Sequence, residues 1–169
     1  MQNRLLLLAL GLFCSPMALV AQYTNPAPQA SAPQTKLPPA CPWLTEGTAA
    51  KMLGGDVSVV LNVSDSGEGS CKFSRKQGPA ETLEIVVKKA DLPGCPTDSV
   101  ALRGIGNEAT MCRHAGPNGE VVQMVSSRVR DQHFLVTITS RTHEKAAKAQ
   151  DPQDEPVARV SEQVAGSLF

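Results

Sequence analysis

Residues 41–71, CPWLTEGTAAKMLGGDVSVVLNVSDSGEGSC, decide the fold. The stretch begins with a cysteine two places before the only tryptophan, passes through a short helical pattern, and returns along an alternating strand to a second cysteine. Thr45 is placed to cap a helix, Glu46 suits the positive end of its dipole, and Gly54-Gly55 ends it. Leu44, Ala49, Met52 and Leu53 form its core side. In DVSVVLNVS, Val57, Val59, Leu61 and Val63 alternate with Ser58, Val60, Asn62 and Ser64, the period of a half-buried strand. A bond between Cys41 and Cys71 would staple that helix to the sheet it packs on.

The same alternation continues downstream. DSGEG turns the chain into SCKFSR, with Cys71 and Phe73 inward, and Gln77-Gly-Pro79 leads into ETLEIVVKK, with Leu83, Ile85 and Val87 inward. Residues 91–110, DLPGCPTDSVALRGIGNEAT, read as a long irregular link, because their prolines and glycines prevent a continuous element. Within it Gly104-Ile-Gly-Asn-Glu-Ala109 reads as a tight positive-φ turn; a phosphate loop would need a preceding strand, a following helix and further glycines. Thr110–His114 then pairs through Gly116-Pro-Asn-Gly119 with EVVQMVSSRVR. Arg130-Asp-Gln-His133 turns into FLVTITS, with Phe134, Val136 and Ile138 inward. Residues 141–153 are polar, with helical character around Glu144 to Gln150. Asp154-Glu155-Pro156 opens a last helix whose Val157, Val160, Val164 and Leu168 make one stripe.

The expected fold is therefore α+β: an antiparallel sheet of about six strands, stapled by disulfides, with the N- and C-terminal helices packed on one face. Residues 41–169 form its single domain. The order helix, three strands, link, three strands, helix is roughly symmetric, without an exact repeat.

Ahead of this domain, Arg4 precedes the apolar run Leu5–Phe13, and Ala21 is a suitable last residue before cleavage, so residues 1–21 read as a signal peptide. Ser15-Pro16 break the run, which is too short for a membrane span. Cys14 follows bulky Phe13, which disfavours lipidation. Residues 22–40 carry five prolines and one charge, Lys36, and read as a disordered tether rather than a docking peptide.

Removal of Cys14 with the leader leaves Cys41, Cys71, Cys95 and Cys112, an even set that in an exported chain reads as disulfides with three possible pairings. Sequential pairing, Cys41–Cys71 and Cys95–Cys112, suits neighbouring elements. Free thiols are the weaker alternative and zinc weaker still, since no Cys-x-x-Cys occurs and no histidine lies at ligand spacing. The chain carries 16 basic and 16 acidic residues, so nothing provides the basic field that a nucleic-acid binder needs.

Catalytic candidates are few. His114, His133 and His143 are placed beside turns or loops, and no Gly-x-Ser-x-Gly elbow occurs. Glu81 and Glu84 fall on opposite strand faces. Trp43 reads first as a cover for the core edge and second as an aromatic contact for a ligand. Arg128, Arg130 and Arg141 could line one side of the last hairpin and meet an anionic surface.

The series CPWLT (41–45), AAKMLGG (49–55), GSCKF (69–73) and GIGNEA (104–109), with the paired hairpin and closing amphipathic helix, resembles small exported domains of unknown function common among bacterial lipoproteins, notably of actinobacteria. The resemblance spans residues 41–169. It implies a compact α+β domain with Cys41 bonded to the cysteine of the GSCKF strand, and it implies no activity or functional residue. The chain departs from those domains in lacking a convincing lipid-attachment cysteine.

The expected function is a non-enzymatic, periplasmic or secreted module that binds an envelope protein or a small ligand, without cofactor or metal, with Trp43, Arg128 and Arg130 as contact candidates. One alternative is a small extracytoplasmic enzyme, which would gather two or more of Glu108, His114, Arg128 and His133 into one cleft. The other is a purely structural envelope protein.

Overall fold

The structure is a computed structural model and describes residues 39–95, 98–141 and 151–169. The elements run α1 (Glu46–Leu53), β1 (Val57–Val63), β2 (Gly69–Arg75), β3 (Glu81–Lys88), β4 (Val100–Leu102), β5 (Glu108–Ala115), β6 (Val121–Val129), β7 (Gln132–Ser140) and α2 (Pro156–Leu168). The leader, Cys14, most of the tether, the helical stretch expected at 144–150 and His143 lie outside the described residues.

All seven strands form one antiparallel sheet in the order β1-β2-β3-β7-β6-β5-β4. Two three-stranded meanders, β1-β2-β3 and β5-β6-β7, meet where β3 pairs with β7. The sheet is larger than the six strands expected, because Val100–Leu102 within the supposedly irregular link pairs with Ala109–Met111 on the outer side of β5. β5 also starts earlier than expected, at Glu108. His114 lies in β5, as expected, and His133, expected to close the turn before the last strand, lies within β7.

One face of the sheet carries the core. In register across β2, β3, β7 and β6 stand Phe73, Leu83 and Ile138, then Cys71, Ile85, Val136 and Val125. Nearly all are fully buried, with Ile138 partly so, and they share one cluster with Ala49 and Leu53 of α1 and Val157, Val160 and Val164 of α2. Burial of each large aliphatic side chain contributes about 1.5–3 kcal/mol. α1 contacts β1, β2 and β3, and α2 contacts β6 and β7. Among the described residues no helix is long and apolar enough to cross a membrane.

The local signals act as their chemistry dictates. Thr45 Oγ1 accepts the Thr48 N–H, and Gly54 closes α1 in the left-handed conformation. Both helices are tied to the sheet by an arginine. Arg75 donates from Nη1 to the Leu53 carbonyl at the end of α1 and from Nη2 to the Pro79 carbonyl, and pairs with Glu81 at 3.2 Å. At the start of α2, Glu155 makes no side-chain cap; its carboxylate turns inward to Arg113 Nη2 and Gln123 Nε2, both at 2.8 Å. Glu155, read from the sequence only as part of the opening of this helix, is a nearly buried ion-pair partner.

The disulfides are Cys41–Cys71 and Cys95–Cys112. The first lies in the core with Trp43 beside it in the same cluster. Two disulfides fit an oxidising, non-cytoplasmic location.

Candidate functional site

The sheet face away from this core is formed by the alternate residues: Ser58, Val60 and Asn62 of β1, Ser70, Lys72 and Ser74 of β2, Glu84 and Val86 of β3, and their partners in β7, β6 and β5. At its β5 end the second disulfide pulls the link across it. Cys95 Sγ lies 3.7 Å from the Thr110 carbonyl and 3.9 Å from that of Met124, and Cys112 and Met124 are nearly buried there.

Beside this cover, β4, β5, β6 and β7 enclose a cleft of about 430 Å³, of the size small-molecule sites occupy. Ala101 provides an apolar wall, and Thr110 and Ser126 provide hydroxyls. Its charged members stand in one row, because the ladder places Glu108 opposite Arg128 and Arg128 opposite His133. Glu108 Oε1 lies 3.4 Å from Arg128 Nη2, and His133 Nε2 lies 3.3 Å from Asp91 Oδ1. Glu108 and Asp91 are largely exposed, whereas His133 is only 24 % exposed. Arg128 has an exposed tip, but its Nε is buried and meets no acceptor among the described residues.

The link's glycine motif holds the cleft in shape. Gly104 and Gly106 both have positive φ, at 73° and 64°. A Cβ on Gly106 would stand 2.4 Å from the Arg128 carbonyl. That close approach lets the Asn107 N–H donate to the Arg128 carbonyl at 2.7 Å, while Ser127 Oγ donates to the Ile105 carbonyl at 2.8 Å. The motif is thus a clamp on the end of β6, the tight positive-φ turn read from the sequence.

The three arginines do not share a surface. Arg128 lies in the cleft; Arg130, in the β6–β7 turn with φ of 55°, places its guanidinium 5.8 Å from the Phe169 ring centre; Arg141 pairs with Glu120 beyond the other end of β7. Trp43 is buried, 6 % exposed, and packs as core. Of the four catalytic candidates, Glu108, Arg128 and His133 converge, while His114 sits opposite Val122, six residues along β5 from Glu108 and so about 20 Å away. The cleft row could have been traced from Arg128-x-x-x-x-His133 straddling a tight turn, but its Glu108 member depends on the β5–β6 register.

No family model matches the chain, and no curated protein matches it either.

Proposed function

We propose that the chain is an exported, non-enzymatic binding module of the bacterial envelope, related to the lipoprotein-type domains it resembles. Among the described residues both helices share the core cluster, and beside the Cys95–Cys112 cover the opposite face keeps an open stretch for recognition. The cleft beside β4 takes a small ligand that carries an anionic oxygen group. The observation that carries this reading is Arg128. Among the described residues its Nη2 meets only an exposed Glu108, at 3.4 Å, and its buried Nε has no acceptor, a state that costs about 1–3 kcal/mol. An entering carboxylate or phosphate displaces the Glu108 carboxylate and pairs with the exposed end of the guanidinium. Ala101 faces the ligand's apolar part, and His133 lies at the row's other end. The leader-like first residues and the paired cysteines support the exported setting.

The convergence of Glu108, Arg128 and His133 also favours the second reading, a small extracytoplasmic enzyme. In that reading His133, held by Asp91, moves a proton for a substrate fixed by Arg128.

Native mass spectrometry of the protein recovered from its host separates these readings. A discrete extra mass, lost on denaturation and absent from Arg128→Ala, is the expected result. Titration of the isotopically labelled protein with benzoate and with inorganic phosphate should then shift the amides of Ala101, Arg128 and His133, and the effective probe identifies the headgroup. No extra mass, together with no shift at about 10 mM of either probe, a concentration that detects even the weakest specific binding, rejects the cleft. Conversion of the released ligand by wild type, abolished in His133→Gln with binding retained, selects the enzyme.

A further inference from the structure

We propose that β1 is a self-association edge through which two copies of this chain pair antiparallel about a two-fold axis at Val60. The sheet's two edges are unequal. One is β4, only three residues long, which covers the outer side of β5, while the Cys95–Cys112 link caps the exposed face of β5. β1 ends the sheet on the other side, and among the described residues no strand pairs with its outer side. Counted back from the hairpin residues Ser64 and Gly116, Val60 occupies the position that Cys112 occupies in β5. Cys112 is 3 % exposed and Val60 is 68 % exposed.

The hydrogen-bond phase fixes what β1 offers. The Ser64 N–H donates to the Glu68 carbonyl, and the Lys76 N–H donates to the Asp56 carbonyl. The even-numbered residues therefore bond inward to β2, so the backbone groups of Val57, Val59, Leu61 and Val63 point outward. Natural edges are commonly blunted by charge, proline or a bulge. Val57–Val63, VSVVLNV, holds neither a charge nor a proline and runs in unbroken register with β2.

The occupant follows from the strand's pattern of apolar and polar residues, which is symmetric about Val60. About Val60, Val59 faces Leu61 of the second copy, Ser58 faces Asn62, and Val57 faces Val63. Outward-pointing residues meet outward-pointing residues, so Val59 with Leu61 and Val57 with Val63 form the hydrogen-bonded pairs. Val60 meets its own copy in the close, non-hydrogen-bonded position. Just beyond the strand, Asp56 falls opposite Ser64 and Asp65 opposite Gly55, so no charge meets a like charge. An isologous contact requires this kind of self-complementarity. The area is small: a seven-residue strand spans about 23 Å, and its pairing buries less than the roughly 1,200 Å² of a standard stable interface. The dimer is accordingly a weak one, with a dissociation constant in the roughly micromolar-to-millimolar range.

Sedimentation of the exported chain with both disulfides formed, at rising concentration up to about 1 mM, should show a monomer–dimer equilibrium. Val60→Lys and Val60→Glu alter an exposed side chain and leave the monomer folded, while placing like charges across the axis. Each alone should weaken dimerisation at least about tenfold, and an equimolar mixture of the two should restore it. A chain that stays monomeric to about 1 mM overturns the proposal. So does a dimer that Val60→Lys leaves unchanged, or a mixture no tighter than its components. None of these results bears on the cleft, whose ligand is read at Arg128.

Discussion

In the first half of the sheet β1 ends at Ser64 in a hairpin, with Gly67 donating back to the Ser64 carbonyl and Ser64 donating to that of Glu68. In the second half β5 ends at Gly116 in the same hairpin, with Gly119 and Glu120 in the corresponding places. The glutamate that follows each turn reaches the end of the third strand of its own half: Glu68 Oε1 accepts the Lys89 N–H at 2.7 Å, and Glu120 Oε1 pairs with Arg141 Nε at 3.1 Å. The likeness stops at the outer edges. The first half has its disulfide in the core, fastening α1, and among the described residues no strand pairs with its outer edge. The second spends its disulfide on the far face, where the fastened link supplies an extra strand and a cleft. One meander plan thus supports two kinds of surface, and the difference lies in the segment between β3 and β5.

The largest expected effect tests that division of labour. Replacing Cys41 and Cys71 together by alanine opens a loop of sequence separation 30 and should cost about 4 kcal/mol; the same change at Cys95 and Cys112, separation 17, should cost about 3 kcal/mol. Urea denaturation measures both. The sharper contrast is local: amide exchange at β4 and Arg128 should accelerate in the second variant and not in the first. Equal acceleration in both would show that the link is not held independently of α1.

Next in size are the two arginine ties. Arg113→Met leaves the Glu155 carboxylate nearly buried with only Gln123, and should cost about 2–3 kcal/mol, most of it recovered by adding Glu155→Leu, since a buried pair can be replaced by apolar groups. Arg75→Met takes the donor from the partly buried Leu53 carbonyl and from the exposed Pro79 carbonyl, and should cost about 1–2 kcal/mol. No second substitution at Glu81 should recover it, because those carbonyls remain. Recovery with Glu81→Leu would show that the ion pair, and not the helix terminus, holds the first tie.

The six longer strands and both helix stripes were legible because each has a solvent side and a core side, so period alone marks them. Thr45 and Gly54 were legible because caps act within one turn of chain. β4 was not: three residues between Pro96 and Gly104 carry no period of their own, and they form a strand because β5 offers an unpaired ladder. The joining of the halves through β3 and β7 was equally hidden, since nothing local distinguishes Ile85 facing Val136 from Ile85 facing another apolar strand. The cleft inherits this. Glu108, Arg128 and His133 were named as candidates by residue type, but only the register makes Arg128 their common neighbour. Glu155 shows the same limit: its place before a helix was visible, but its partner Arg113 is remote in sequence.

The smallest effects compare glycines of the two halves. Gly67 and Gly106 both have positive φ, at 78° and 64°, so alanine at either is strained by about 1 kcal/mol through the backbone alone. Gly67 is in the Ser64 hairpin and a Cβ there would meet nothing within 4 Å, so Gly67→Ala should cost about that and no more. A Cβ at Gly106 would meet the Arg128 carbonyl at 2.4 Å and Ser127 Oγ at 2.7 Å, both fixed parts of the β6 clamp, so the link must move. Gly106→Ala should cost about 2 kcal/mol and, unlike Gly67→Ala, should weaken ligand retention at Arg128, because the donated Asn107 N–H leaves the Arg128 carbonyl. Thermal melts give the first difference and native mass spectra the second. A Gly106→Ala protein destabilised by the full amount yet retaining its ligand would separate the clamp from the cleft, and would show that the glycine motif serves the link's path alone.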